Sequence, residues 1–378
     1  MTRLSTITSS TDNIYGNRIV SSPKQAAHQK VQDYFDRYYC KHCFIFLHPS
    51  MGNRSSDTEL LIRFSLYCRD HNMDFILSDQ DGNISHGHLL QGINLQYFPY
   101  DDHITVISFH PKCMKLTPHR TLFVGWLPVI QLLPYIQNIT TFDGYLSSYS
   151  LVVDKFVQSI TLKELPFYGF LNPSVPRSSF EPIRKNWKDI RLCYIGTHWS
   201  HHNSNQIQLV KNERLELLKE LDHRGMTKLY GPRRLYENQD VLTWGGFRTY
   251  FGEIAFDGVS VIRTIRECGI CLILTSVVQN RSEVCSMRIF EAIAAGVPII
   301  CNKNEFIQWW FRNNVFYIEG NTVEEKITDI ERHLEWIVAN PMVVHEKIKT
   351  CRSIVEKNLS MDVQMEDLLT NIEGVENK

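Results

Sequence analysis

Short runs of apolar residues alternate along this chain with longer stretches in which apolar positions recur every three or four residues. Residues 26–39 carry the second spacing and predict a helix after a polar lead-in. Residues 43–48 (CFIFLH) are a continuous apolar run of buried-strand type, and 49–57 are rich in turn residues. Helical spacing returns at 58–72, with Leu60, Leu61, Phe64, Ser65 and Cys68 on one side. Further strands are predicted at 73–77, 104–109, 121–126 and 144–149. Strand, loop and helix in repetition predict a parallel α/β sheet.

Between Pro166 and Pro182 (PFYGFLNPSVPRSSFEP) the pattern breaks, and four of the 14 prolines stand there with Gly169 and a serine pair. Proline stiffens a connection and interrupts helix and sheet alike, so this stretch is predicted to link two domains. A second series follows, with strands at 191–195, 227–230, 270–275, 297–301 and 315–318 and helices at 212–222, 259–268, 287–295 and 305–312. From 322 onward the chain reads as helix, broken near Pro341. The expected fold is α/β, two doubly wound Rossmann-like domains facing each other across a cleft, with a helical C-terminal tail. The expected boundaries are 1–175 for the first domain, 176–186 for the linker, 187–345 for the second domain and 346–378 for helices that brace the two.

Length and charge sharpen this picture. At ~100–200 residues per domain, 378 residues fit two cores. With 40 Lys+Arg against 41 Asp+Glu the formal charge is -1, which removes the uniform positive field of a general nucleic-acid binder. A hydrophobic share of 43% with 21% charged residues excludes wholesale disorder. Residues 1–17 lack the ~7–15-residue apolar core of a signal peptide. The greasiest stretch, 121–136, is interrupted by Pro128 and Pro134 and is shorter than the ~18 apolar residues of a membrane span. A cytoplasmic location is expected, with the inner membrane face as the variant. Ten scattered cysteines read as reduced thiols, and Cys40-Lys41-His42-Cys43 has metal-ligand spacing without the second pair a zinc site needs.

The sharpest local signal is Glu283-Val-Cys-Ser-Met-Arg-Ile-Phe-Glu291, followed by Ala292-Ile-Ala-Ala-Gly-Val-Pro298 and an apolar strand. A buried strand ends near Thr275, and a polar loop leads to a helix whose first turn carries Ser286 and Arg288. Free N–H groups at that helix start, a hydroxyl and a guanidinium suit a phosphate. Glu291 lies three residues beyond Arg288, on nearly the same helix face, where a carboxylate can accept two hydrogen bonds from a ribose diol. Gly296 is placed for a left-handed cap. The plainer reading of Glu283 is a solvated loop carboxylate, and that of Arg288 a surface ion-pair partner.

These residues resemble the donor-site signature of GT-B glycosyltransferases of the family 4 type, and Ser286-x-Arg288-x-Phe290-Glu291-Ala292 resembles the branch of spore-maturation and other surface-polysaccharide transferases. The resemblance runs loosely from Arg191 to about Gly320. It implies that Glu291 binds the ribose of a nucleotide-sugar donor, that Glu283 faces the transferred sugar as a catalytic residue, and that Ser286 and Arg288 contact phosphate. It implies a sugar transferred from a UDP-, GDP- or CMP-linked donor to a hydroxyl of a glycan or lipid-linked glycan, with retention of configuration. No cofactor and no metal are expected, because helix dipole and arginine can balance the phosphate charge. The sequence departs from the family in one place: Val284, Cys285 and Ser286 stand where a Gly/Pro turn is usual.

Supporting positions come from other strand ends. Gly196 and Thr197 follow a strand and offer close backbone approach and a hydroxyl. His198-x-x-His201-His202 reads as a solvated loop. Arg233 follows another strand, and Gly252 to Ile254 fall where GT-B enzymes place a turn beside the base, while Asp257 is expected to cap the next helix. A general base is sought among His110, Asp143 and His48, in that order. Three alternatives stand beside this reading: a CMP-sugar (Kdo-type) transferase, a nucleotide- or glycan-binding protein without chemistry, and a sugar epimerase.

Overall fold

The computed structural model describes residues 23–38, 41–49, 56–85, 87–161, 165–187, 189–196, 205–233 and 244–376. Its first half is a six-stranded parallel sheet of order β2-β1-β3-β4-β5-β6. The strands are β1 (Cys43–Leu47), β2 (Asp74–Ser78), β3 (Ile104–Ser108), β4 (Arg120–Gly125), β5 (Gly144–Ser147) and β6 (Phe167–Phe170). Every residue of β1 and β3 is buried, as expected of central strands covered on both faces. Around the sheet lie α1 (Pro23–Arg37), α2 (Ser56–Asp70), two single turns α3 (Val129–Leu132) and α4 (Ile136–Ile139), and α5 (Leu151–Ile160). Leu60, Leu61, Phe64 and Cys68 of α2, on the side read from the spacing, join the core of Phe44 and Phe46, and Tyr67 joins them.

The second half is also parallel, of order β12-β11-β10-β7-β8-β9. Its strands are β7 (Arg191–Ile195), β8 (Thr227–Tyr230), β9 (Tyr250–Gly252), β10 (Gly269–Ile273), β11 (Ile299–Asn302) and β12 (Phe316–Ile318). Its helices are α6 (Asn205–His223), α7 (Ser260–Cys268), α8 (Val277–Arg281), α9 (Arg288–Ala295), α10 (Glu305–Phe311), α11 (Val323–Ala339), α12 (Pro341–Ile354) and α13 (Met361–Glu376). Gly296 closes α9 at φ 68°, a left-handed cap. In each sheet the strand order reverses once, between β1 and β3 and between β7 and β10. Those are the two points where such folds bind ligands.

One prediction needs correction. The proline-rich stretch begins not as linker but as β6, because Phe167 and Tyr168 are good strand formers and Pro166 precedes an edge strand, where a missing N–H is tolerated. The crossing segment after it is held to the C-terminal helices: Ser174 Oγ donates to Leu359 O at 2.5 Å and Met361 N–H to Val175 O at 3.0 Å. Helix α13 then lies back on the first half. Its Met361, Met365, Leu368 and Ile372 join the core of Phe44 and Phe46, and Asn371 Nδ2 donates to Tyr168 O at 3.0 Å. Among the described residues no helix is long and apolar enough to cross a membrane.

Candidate active site

The second switch point gathers several of the predicted residues. Helix α9 starts there, and Arg288 reaches back so that its Nε donates to Ile195 O, the last residue of β7, at 3.4 Å. Gly196 follows directly, and the backbone of Gly231 lies so close that a side chain on it would meet Gly196 O at 2.0 Å. Ser286 Oγ accepts from Arg288 N–H at 3.3 Å, tightening the helix start. Gly196, Ser286, Arg288 and Glu291 therefore belong to one cluster. Thr197 and the histidines 198, 201 and 202 lie outside the described residues.

Glu291 is fully buried, and its two oxygens are both taken. One accepts from Arg288 and the other from Arg63 Nη2 at 2.7 Å, an arginine of α2 in the opposite half. Arg63 also donates to Glu59 Oε1 at 3.1 Å and, through Nε, to Gly258 O at 3.2 Å. Burial by itself raises a carboxyl, yet Arg288 and Arg63 outweigh it and hold Glu291 below the usual range. Glu59, with one arginine for company, is raised by its burial. Arg63 Nη1 and Glu59 Oε2 are buried without a partner among the described residues. A ribose diol reaching Glu291 must displace a guanidinium, a constraint that the helix-face argument did not reveal.

Arg63 and Glu59 were not among the predicted site residues. The signal was present: Arg63 stands inside the apolar stripe Leu60, Phe64, Tyr67, and a charge at a core position four residues from a glutamate marks a buried ion pair.

The halves interlock beside this cluster. Ser282 Oγ accepts from Val129 N–H at 3.1 Å, Ser282 O accepts from Ser150 Oγ at 2.5 Å, and Val284 enters the core of Phe123, Leu146's neighbour Tyr145 and Val157. Glu283, between them, takes a left-handed φ of 53° and is half-buried. It faces α5 and α10 in a cleft described below.

At the first switch point stand His48 and His110, at the ends of β1 and β3. His48 Nε2 and Asp57 Oδ2 are 3.3 Å apart. Burial brings His110 down to about 4, against the pull of Asp57. Lys112 N–H donates to His110 Nδ1 at 3.1 Å, so the neutral ring carries its proton on Nε2. His110 thus presents a donor there, not the lone pair a general base needs. Asp143 is a clearer correction. It precedes β5, at the amino edge away from the switch points, where Lys115 Nζ donates to one oxygen at 2.5 Å and Thr121 N–H to the other at 2.9 Å.

Arg233 and Gly252 meet at the ends of β8 and β9. Arg233 N–H donates to Glu253 Oε1 at 2.7 Å and Gly231 N–H to Gly252 O at 3.2 Å. The Arg233 side chain is exposed, and Ile254 packs partly on the second core. Asp257 Oδ1 accepts from Val259 N–H and Ser260 N–H at 2.9 and 2.7 Å, the helix-start role expected of it. Among the described residues no three His, Cys, Asp or Glu side chains gather as a metal-ligand set.

Burial of histidine gives a pH prediction. His42 is brought to about 4 chiefly by burial, as is His110, whereas a histidine in the unfolded chain titrates near ~6.5. Above that value both states are neutral. Between about 6.5 and 4 only the unfolded chain takes up the protons, so stability falls as pH drops through this window. Melting temperatures measured from pH 7.5 to 4.5 are expected to decline below 6.5, and a His42→Gln variant to decline less steeply; identical slopes contradict the burial of His42.

Comparison with known proteins bears on the fold. Residues 211–370 match the family described as glycosyl transferase-like. No curated protein sequence matches the chain. Among solved structures, sucrose-phosphate synthase from Thermosynechococcus elongatus superposes with a TM-score of 0.57 at 12% identity, covering 88% of this chain and 100% of that one. An alpha-glucosyltransferase in complex with UDP-glucose and DNA containing an abasic site gives 0.53 at 10% identity, over 88% and 98%. HepE from Anabaena in complex with UDP and glucose gives 0.52 at 9% identity, over 90% and 99%. The chain therefore has the GT-B fold of glycosyltransferases, with a glycosyl transferase-like C-terminal half.

Proposed function

We propose that the chain transfers a sugar from a nucleotide-sugar donor to a hydroxyl of a glycan or lipid-linked glycan. The observation that carries this reading is the meeting of Arg63 and Arg288, one from each half, on Glu291 at the second switch point, with Arg63 Nη1 unpaired among the described residues. Two guanidiniums and a helix N-terminus suit a diphosphate leaving group, and positive charge fixed before the reaction is most effective where negative charge develops. In the reaction the bond from the anomeric carbon to the phosphate oxygen breaks and one to the acceptor oxygen forms. The hydroxyl proton ends on the departing phosphate. Arg288 and Ser286 hold that phosphate in this reading, Gly196 and Gly231 let it approach the backbone, and Glu291 sets the angle of both arginines.

The resemblance of Ser286 to Ala292 favours retention of configuration, and the two arginines can offset the donor charge without a metal. UDP is the favoured nucleotide, because one neighbour of this fold was solved with UDP-glucose and another with UDP. A formal charge of -1 favours a glycan over DNA as acceptor. A nucleotide-binding protein without chemistry is the second reading, favoured by the engagement of both Glu291 oxygens. Melting curves with UDP, GDP, CMP and ADP test the donor site, since a ligand that binds only the folded state raises its stability. UDP is expected to raise the melting temperature; no shift with any of the four contradicts the assignment.

A further inference from the structure

We propose that the aromatic cleft between α5, β6 and α10 is a binding site for a neutral oligosaccharide, the sugar chain of the acceptor. This rests on the transferase reading of the adjoining helix α9. The cleft measures about 1030 Å³, at the upper end of small-ligand sites and with room for more than one sugar ring. Both halves build it: Tyr149 and Phe170 form one wall, Glu283, Glu305, Trp309 and Trp310 the other.

The aromatic wall is fixed before any ligand arrives. Tyr149 stacks on Phe170 with centroids 4.0 Å apart and planes 2° from parallel, and meets the edge of Trp310 at 5.4 Å. Trp309 is 77% exposed, a large apolar face left to solvent. Tyr149 and Glu283 both hold left-handed backbone, at φ 65° and 53°. For residues with a Cβ that costs roughly 1–2 kcal/mol each. The cleft thus concentrates two strained residues, one on each wall.

Its polar groups select the ligand. The carboxylates of Glu283 and Glu305 have no hydrogen-bond or ion-pair partner among the described residues, although the Glu283 backbone N–H donates to Asn280 O at 3.1 Å. Carboxylates accept from hydroxyls, and aromatic faces cover the C–H side of a sugar ring, so together they match a polyhydroxylated ring that is apolar on one side. A phosphate is repelled by the two carboxylates, and an acyl chain leaves them desolvated without partners. The cleft also adjoins the donor cluster. Glu283 begins the segment that runs to Ser286 and Arg288, and Asn304 Nδ2, at the start of α10, donates to Val284 O at 3.3 Å.

The test uses the full chain, its tryptophan fluorescence and a panel of neutral tri- and tetrasaccharides of glucose, galactose, mannose and N-acetylglucosamine. At least one is expected to give a saturable change. Trp309→Ala and Glu305→Gln are expected to weaken it about tenfold or more, while the melting shift with UDP stays as in the wild type. For transfer to that saccharide, Trp309→Ala raises KM and leaves kcat near its original value. Absence of any saccharide response, a response indifferent to both substitutions, or binding of phosphatidylcholine vesicles in place of saccharides overturns the proposal. A UDP shift without saccharide binding removes the cleft and leaves the donor site standing. Saccharide binding at Trp309 without a UDP shift supports the cleft and removes the donor site.

Discussion

Replacing Arg63 with alanine is expected to cost about 3–5 kcal/mol of stability, the range for breaking a buried ion pair by removing one partner. The side chain is fully buried, and its loss leaves Glu291 with Arg288 alone and Glu59 with no cation. The Glu59 carboxylate, in a closed interior, must then be protonated or solvated, and Glu291 keeps one of its two cations. At roughly 2–4 °C per kcal/mol for a protein of at least moderate size, the melting temperature drops by about 10 °C. Adding Glu59→Gln removes the stranded charge, so the double variant is less damaged than the sum of the two single changes. Equilibrium unfolding of the four proteins measures this coupling. A loss under about 1 kcal/mol, typical of solvent-exposed pairs, contradicts the interlocked arrangement of the halves.

The second large effect concerns Arg288. Its guanidinium, 17% exposed, joins Glu291 to the carboxyl end of β7 and is the cation at the start of α9. Arg288→Ala is expected to slow donor turnover about 10²–10³-fold, as loss of a positioned group that stabilises a leaving oxyanion does. Lysine at 288 keeps the charge but not the planar fork that spans Glu291 and phosphate, so Arg288→Lys is expected to fall between the two. Steady-state kinetics with the preferred donor separates these cases: equal rates for all three proteins place the chemistry elsewhere.

The strands and most helices could be read from the sequence because buried parallel strands are continuous apolar runs and their helices keep one apolar side. What escaped was set by contacts between distant segments. Strand β6 was hidden under its prolines, and β9 is only Tyr250–Gly252, too short for any periodicity. Glu283, Ser286, Arg288 and Glu291 can be proposed together from the sequence because four residues within one helix and its leading loop carry a local pattern. Arg63 is not among them, since its partner lies 228 residues away. Asp143 was misplaced for a related reason: a residue beside a strand is catalytically useful at only one of its two ends, and the sheet edge is fixed by the direction of the whole sheet. His110 sits at the right edge, yet the position of its ring proton depends on the Lys112 N–H, a contact of loop geometry.

The central claim, a nucleotide-sugar donor held at the second switch point by Arg288, is tested most directly by release of free nucleotide from UDP-, GDP- and CMP-sugars, with and without glycan acceptors. The account predicts that the wild type turns over at least one donor and that Arg288→Ala does so about 10²–10³-fold more slowly. Nucleotide binding without release from any donor, or release that Arg288→Ala leaves unchanged, contradicts it.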